Sequence, residues 1–180
     1  EELSRSPDIR GLLAASFFFA ADLLCWHSSI TLTTVANAAL FVNLAPLLVA
    51  FFVWRVYGQQ FGRKFWLGLF LSIACAILVV GSSFEVSTER LHGDLLGLLT
   101  AVFYAGYILS LSHLRRRHST LFVMTFVTAG STIPLFIGVL IVGENFFPSE
   151  LSGWIPLFGL ALGPQILGQS AIAFSLAFLA

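Results

Sequence analysis

Asp22 is the one acidic side chain set deep within a long apolar stretch of this chain. It follows Arg10 by twelve positions, which in a helix rising about 1.5 Å per residue is a depth of roughly 18 Å. A charged group near the middle of a bilayer costs about 2.5–3.5 kcal/mol on insertion scales, so a carboxyl there needs either a task or a partner. Two readings follow. A proton or cation pathway would use a carboxyl that takes up and releases a proton. A neutral Asp hydrogen-bonded to a neighbouring helix would serve as packing glue. Trp26 stands four residues on and shares a helix face with Asp22. His27 follows it, facing either an aqueous vestibule or a backbone carbonyl.

Other polar groups recur at similar depth. Asn37, Asn43 and Pro46 lie in one apolar stretch. Proline removes the bond to the carbonyl four residues back, here that of Val42, and kinks the helix. Asn43 is about one turn before Pro46, so a freed carbonyl would lie beside an amide. Transporters build substrate sites from such interrupted helices; a kink that only shapes packing is the alternative. Gly163-Pro164-Gln165 followed by Gly168-Gln169 repeats the pattern near the end of the chain. Tyr104 and Tyr107 share a face that Ser110 continues, offering hydroxyls to a ligand or to packing. Gly93-x-x-x-Gly97 and Gly159-x-x-x-Gly163 have the spacing that lets helices approach closely.

The elements that must position these groups are legible in the composition. The 180 residues are 58% hydrophobic and 10% charged, with 19 Phe; a soluble domain carries about a quarter charged residues. Six stretches have the roughly 20-residue length that spans a bilayer as helix: 11–32, 35–57, 65–84, 95–114, 120–142 and 154–180. Eight of the nine cations fall in alternate connections: Arg5 and Arg10, then Arg55, Arg63 and Lys64, then Arg115, Arg116 and Arg117. Arg90 is on the other side with Glu85, Glu89 and Asp94. Cationic loops stay cytoplasmic, so the N-terminal segment and the Arg115–Arg117 loop are expected inside, and the segments around Glu85 and Glu144 outside. Trp54, Trp66 and Trp154 fall near span ends, where tryptophan anchors to the interface.

Several function classes are disfavoured. The net charge is zero, so no basic nucleic-acid footprint is expected. Cys25 and Cys75 lie within apolar stretches and read as small apolar side chains. No Cys-x-x-Cys or His-x-x-x-His spacing suggests a metal, and no nucleotide-binding motif suggests ATP coupling; no cofactor is expected. Asp22 with His27 could do acid–base work in a membrane-embedded enzyme, but no Gly-x-Ser-x-Gly nucleophile accompanies them. Glu1 to Arg10 lacks the pattern of a cleaved leader, and Ala180 falls inside an apolar run, so a fragment of a longer chain is expected.

The run SSITLTTVANAALFVNLAPLLVAFFVWRVYGQQFGRKFWLGLFLSIACAILVV resembles the drug/metabolite transporter superfamily, within it the EamA-like family. The shared features are small and hydroxyl residues, an apolar helix with a central proline (Pro46), a polar turn, and a helix containing Gly68. A second run, HGDLLGLLTAVFYAGYILSLSHLRRR, is similar to the opening helix of the family's second repeat. The resemblance implies an all-α polytopic transmembrane helix bundle, six spans of a ten-helix inverted-repeat transporter. Residues 1–84 would be the C-terminal part of the first repeat, 85–94 an external linker, and 95–180 the N-terminal part of the second. One departure is that Gly58 is followed by Gln59 and Gln60, where the family often carries an acidic residue.

The function so implied is secondary active transport, as an exporter, of small metabolites or drugs across the plasma membrane (the bacterial inner membrane) by alternating access. Asp22 would couple it to protons. Trp26, His27, Asn43, Tyr104, Tyr107, Gln165 and Gln169 would line the pathway, with Pro46 and Pro164 shaping it. The partners expected are a small-molecule substrate and the lipid bilayer, with homo-oligomerisation left open. The alternative from another class is a non-transporting membrane scaffold or sensor.

Overall fold

A computed structural model describes residues 8–80, 88–143, 147–148 and 150–179. Among the described residues there is helix and no strand. The elements are α1 (Ile9–Leu32), α2 (Val35–Val42), α3 (Ala45–Tyr57), α4 (Arg63–Val80), α5 (Leu91–Arg115), α6 (Thr120–Val142), α7 (Trp154–Leu160) and α8 (Gln169–Leu179). Short 3₁₀ turns precede α5 and α7, and a π-helical segment, Ala161–Gly168, joins α7 to α8.

Local chemistry sets the boundaries. Asp8 starts α1: its carboxylate accepts from the Gly11 amide at 3.0 Å, supplying one of the partners a helix N-terminus lacks. The backbone turns over Thr33 and Thr34, and the Thr34 hydroxyl caps α2 by accepting from the Asn37 amide at 3.0 Å. Gly58 ends α3 in the left-handed region at φ 65°, its N–H bonded to the Trp54 carbonyl, a conformation that glycine adopts without steric cost. Ser119 caps α6 through the Phe122 amide, and Gly143 ends it at φ 76°.

Two sequence expectations are revised. The stretch 35–57 is broken rather than kinked. Pro46 lies in the first turn of α3, where the N–H it lacks would have no intrahelical acceptor. The fourth stretch starts earlier than 95. Helix α5 begins at Leu91 and takes in Asp94, because an acidic side chain in a first turn is favoured by the helix dipole. The third stretch is helical from Arg63 to Val80; 81–84 lie outside the described residues, as do Arg5, Glu85 and Glu144.

Five stretches, Ile9–Leu32, Val35–Tyr57, Thr88–Arg115, Thr120–Val142 and Leu151–Ala177, are long and apolar enough to cross a membrane. The packing agrees. Buried positions are rich in small or polar residues, among them Ala15, Ser16, Ser29, Asn37, Ala38, Ala101 and Thr100, while Phe17, Phe70, Leu78, Leu121 and Ile141 are exposed. Lipid tails are as apolar as leucine, so helices meet through small residues and keep their large apolar side chains outward. The chain is an all-α, multi-pass integral membrane protein.

The chain forms two compact units, residues 1–20 with 109–180, and residues 21–108. In the first, α1 meets α6 where a Cβ on Gly130 would lie 2.5 Å from the Ser16 hydroxyl, and α8 packs on α6. Arg115 ties the end of α5 to α8 by donating from Nε to the Ala173 carbonyl at 2.9 Å, and it also donates to the His118 carbonyl. In the second, α5 lies against the end of α1 and the start of α2. A Cβ on Gly93 would stand 2.6 Å from the Leu32 carbonyl carbon, and one on Gly97 would stand 3.1 Å from the Phe41 ring. The two glycines are one turn apart on α5; the missing side chain of Gly93 makes room for the Leu32–Thr33 backbone, and that of Gly97 for the side chains of Phe41 and Ser29.

Candidate functional site

The candidate residues divide between the two units. Asp22, Trp26, His27, Asn43, Pro46, Tyr104 and Tyr107 belong to the second; Gln165 and Gln169 belong to the first.

Asp22 is buried on α1, at 7% exposed. Among the described residues its carboxyl has no hydrogen-bond partner, and it lies within electrostatic range of the Tyr107 hydroxyl and the Cys25 thiol. Tyr107 is fully buried on α5, and its ring stands 6.0 Å from that of Tyr104 at an interplanar angle of 37°. A buried carboxyl on α1 and a tyrosine pair on α5 thus belong to one apolar unit. Such a group can hold a proton or a polar ligand atom, since the carboxyl has no internal partner to satisfy it. Trp26 is 39% exposed, and His27 is exposed beside it.

Asn43 and Pro46 stand apart from this group. Asn43 is exposed and turns its amide back to the Ala39 carbonyl at 2.8 Å. The amide therefore satisfies the helix that carries it, rather than the carbonyl of Val42. In the first unit, Gln165 is half-buried within the π-helical segment. That wide turn follows from Pro164, which has no N–H for a regular helical bond; such turns occur often at functional sites. Gln169 opens α8, and its Oε1 is buried without a hydrogen-bond partner among the described residues. The Gly159-x-x-x-Gly163 pair meets nothing within 4 Å.

A second polar group lies where α1, α2 and α5 meet. The Asp94 carboxylate oxygen Oδ1 accepts from the Thr33 hydroxyl at 2.6 Å and from the Asn37 amide at 3.1 Å. Ser29 donates to the Gly93 carbonyl at 2.8 Å. Asn37 and Ser29 are fully buried. Sequence reasoning missed this cluster because it assigned Asp94 to a linker. The available signal was Gly93, whose spacing to Gly97 marks a close helix approach immediately beside the acid.

A cavity of about 640 Å³ lies elsewhere, lined by Leu47, Leu48, Ala50, Phe51, Trp54, Gln60, Phe61 and Trp66. None of the candidate residues lines it, and its walls carry no titratable group.

Comparison with known proteins bears on these groups. A family model described as the EamA-like transporter family matches residues 2–81. The uncharacterized transporter YdfC of Bacillus subtilis is 23% identical over 178 residues, covering 97% of this chain and 58% of the relative. The pseudopaline exporter CntI of Pseudomonas aeruginosa is 28% identical over 164 residues, covering 89% of this chain and 53% of the relative. The permease-like protein YdzE of Bacillus subtilis is 31% identical over 61 residues, covering 34% of this chain and 78% of the relative. The chain thus spans about half the length of the first two relatives. No solved structure matches it.

Proposed function

Because this chain belongs to the EamA-like transporter family, we propose that it works in a secondary active transporter that moves small metabolites or drugs across the plasma membrane by alternating access. The direction proposed is export, supported by a relative named as an exporter. The observation that carries the coupling is Asp22, a buried carboxyl without a hydrogen-bond partner among the described residues, beside Tyr107. Deep acidic groups in transporters form proton relays. In this reading Asp22 exchanges a proton as the carrier changes state, Tyr104 and Tyr107 contact the substrate, and Trp26 and His27 line its outer path. Gln165 and Gln169 offer amides from the second repeat. The Arg115–Arg117 loop and the N-terminal segment face the cytoplasm, following the distribution of cations.

The test is uptake or efflux of a metabolite and drug panel in vesicles holding the full-length parent protein, with Asp22→Asn and Asp22→Glu alongside. The expected result is substrate-dependent proton flux, lost in Asp22→Asn and partly kept in Asp22→Glu. Flux equal in all three would remove Asp22 from the coupling. No flux with any compound would count against the transporter reading.

A further inference from the structure

The cavity between α3 and α4 takes no part in the transport reading. Its lining is apolar and aromatic apart from the Gln60 amide and the two indoles. The Phe61 ring stacks on Phe65 at 4.2 Å and meets Trp66 edge-on at 6.3 Å, while Phe51 stands 6.0 Å from Trp54. The lining is therefore held by rings that contact one another, and this gives a shaped apolar wall rather than loose side chains.

Cations adjoin those wall residues in the sequence. Arg55 follows Trp54 directly, and Arg63 and Lys64 open α4 between Phe61 and Trp66. All three are exposed, and none has an ion-pair partner among the described residues. The acidic residues of this unit among the described residues, Asp22, Glu89 and Asp94, belong to other helices or their approaches. Unpaired cations beside an apolar cavity complement an amphiphile with an anionic head. A soluble anion would use the cations and leave the aromatic wall unused. A neutral lipid would use the wall and leave the cations unused.

We propose that the Leu47–Trp66 cavity is a binding site for an anionic phospholipid, with an acyl chain against Phe51, Trp54 and Phe61 and the phosphate near Arg63 and Lys64. Bound lipid would hold α3 to α4 across the Gly58–Gly62 connection between them.

Native mass spectrometry of the full-length parent protein in detergent tests this, with phosphatidylglycerol and phosphatidylcholine of the same chains as probes. The expected result is preferential retention of phosphatidylglycerol. Replacing Arg63→Gln together with Lys64→Gln should weaken retention about thirtyfold, taking roughly 1 kcal/mol per cation near a lipid surface. Arg116→Gln with Arg117→Gln removes the same charge from the loop after α5 and should leave it unchanged. Leu48→Trp, which fills a half-buried part of the wall, should also weaken it. Equal retention of the two lipids, equal loss in both charge variants, or undiminished retention in a folded Leu48→Trp protein would each overturn the proposal. Competition by inorganic phosphate alone would overturn it too, by showing a simple anion site. The charge variants alter exposed side chains only, so they decide the matter if Leu48→Trp does not fold.

Discussion

Asp22 and Asp94 belong to the same compact unit and have opposite surroundings. Asp94 is half-buried and accepts two hydrogen bonds, from Thr33 and Asn37, through one oxygen. Asp22 is more deeply buried and has no hydrogen-bond partner among the described residues. A carboxylate whose partners come from neighbouring helices is part of the structure, because removing it strands those partners. A carboxyl without partners strands no neighbour when it is replaced, so its replacement breaks none of the fold's hydrogen bonds. The same residue type therefore does two jobs, and its hydrogen bonds distinguish them.

The largest expected effect on stability breaks the bonded member of the pair. Asp94→Ala takes one acceptor from the buried Asn37 amide and one from the Thr33 hydroxyl and should cost about 2–3 kcal/mol, read from unfolding in mixed micelles. Next comes the glycine that brings α5 to this junction. Gly93→Ala presses a methyl group on the Leu32 backbone at 2.6 Å and should cost a net 1–2 kcal/mol or about that, after the helix-propensity gain of alanine. Gly163→Ala, which meets open space, should change stability by no more than about 0.5 kcal/mol. Asp22→Asn breaks no hydrogen bond among the described residues and should cost less than Asp94→Ala, by about 1 kcal/mol or more; a loss as large as that of Asp94→Ala would erase the contrast.

The smallest effect extends the comparison to Asp8. The Gly11 amide holds its carboxyl below the usual range, opposed by burial and helped by His113 at 3.4 Å and by Arg117. A carboxylate with a depressed folded pKa stabilises above its unfolded value, about pH 4, and that contribution is lost as the pH falls through the folded value. Asp8→Asn keeps a good cap but removes the charge. Its acid-unfolding curve should therefore be shallower than the parent's below about pH 4, by circular dichroism in detergent.

Much of the fold was legible because bilayer thickness fixes helix length, and cations, glycines and hydroxyls mark the ends. Thr33 and Thr34 turned the chain where expected, and 120–142 is helix α6 as read from its apolar run. Less was legible where a local choice depended on a neighbour. Pro46 reads as a kink in one helix, and the interruption falls just before it, at Asn43 and Leu44. Asp94 read as linker because charge ended the apolar window, while its helix continued through it. The two Gly-x-x-x-Gly pairs were identical in pattern. Only Gly93 and Gly97 have a helix against them among the described residues, and spacing along one helix carries no information about what stands opposite.

The measurement that tests the account most directly compares Asp22→Asn with Asp94→Asn in the full-length parent protein, scoring substrate-driven proton flux per folded molecule and unfolding stability on the same preparations. The account predicts that Asp22→Asn keeps its stability and loses proton flux, whereas Asp94→Asn loses stability and keeps flux in the molecules that remain folded. Proton flux undiminished in a folded Asp22→Asn protein would contradict it.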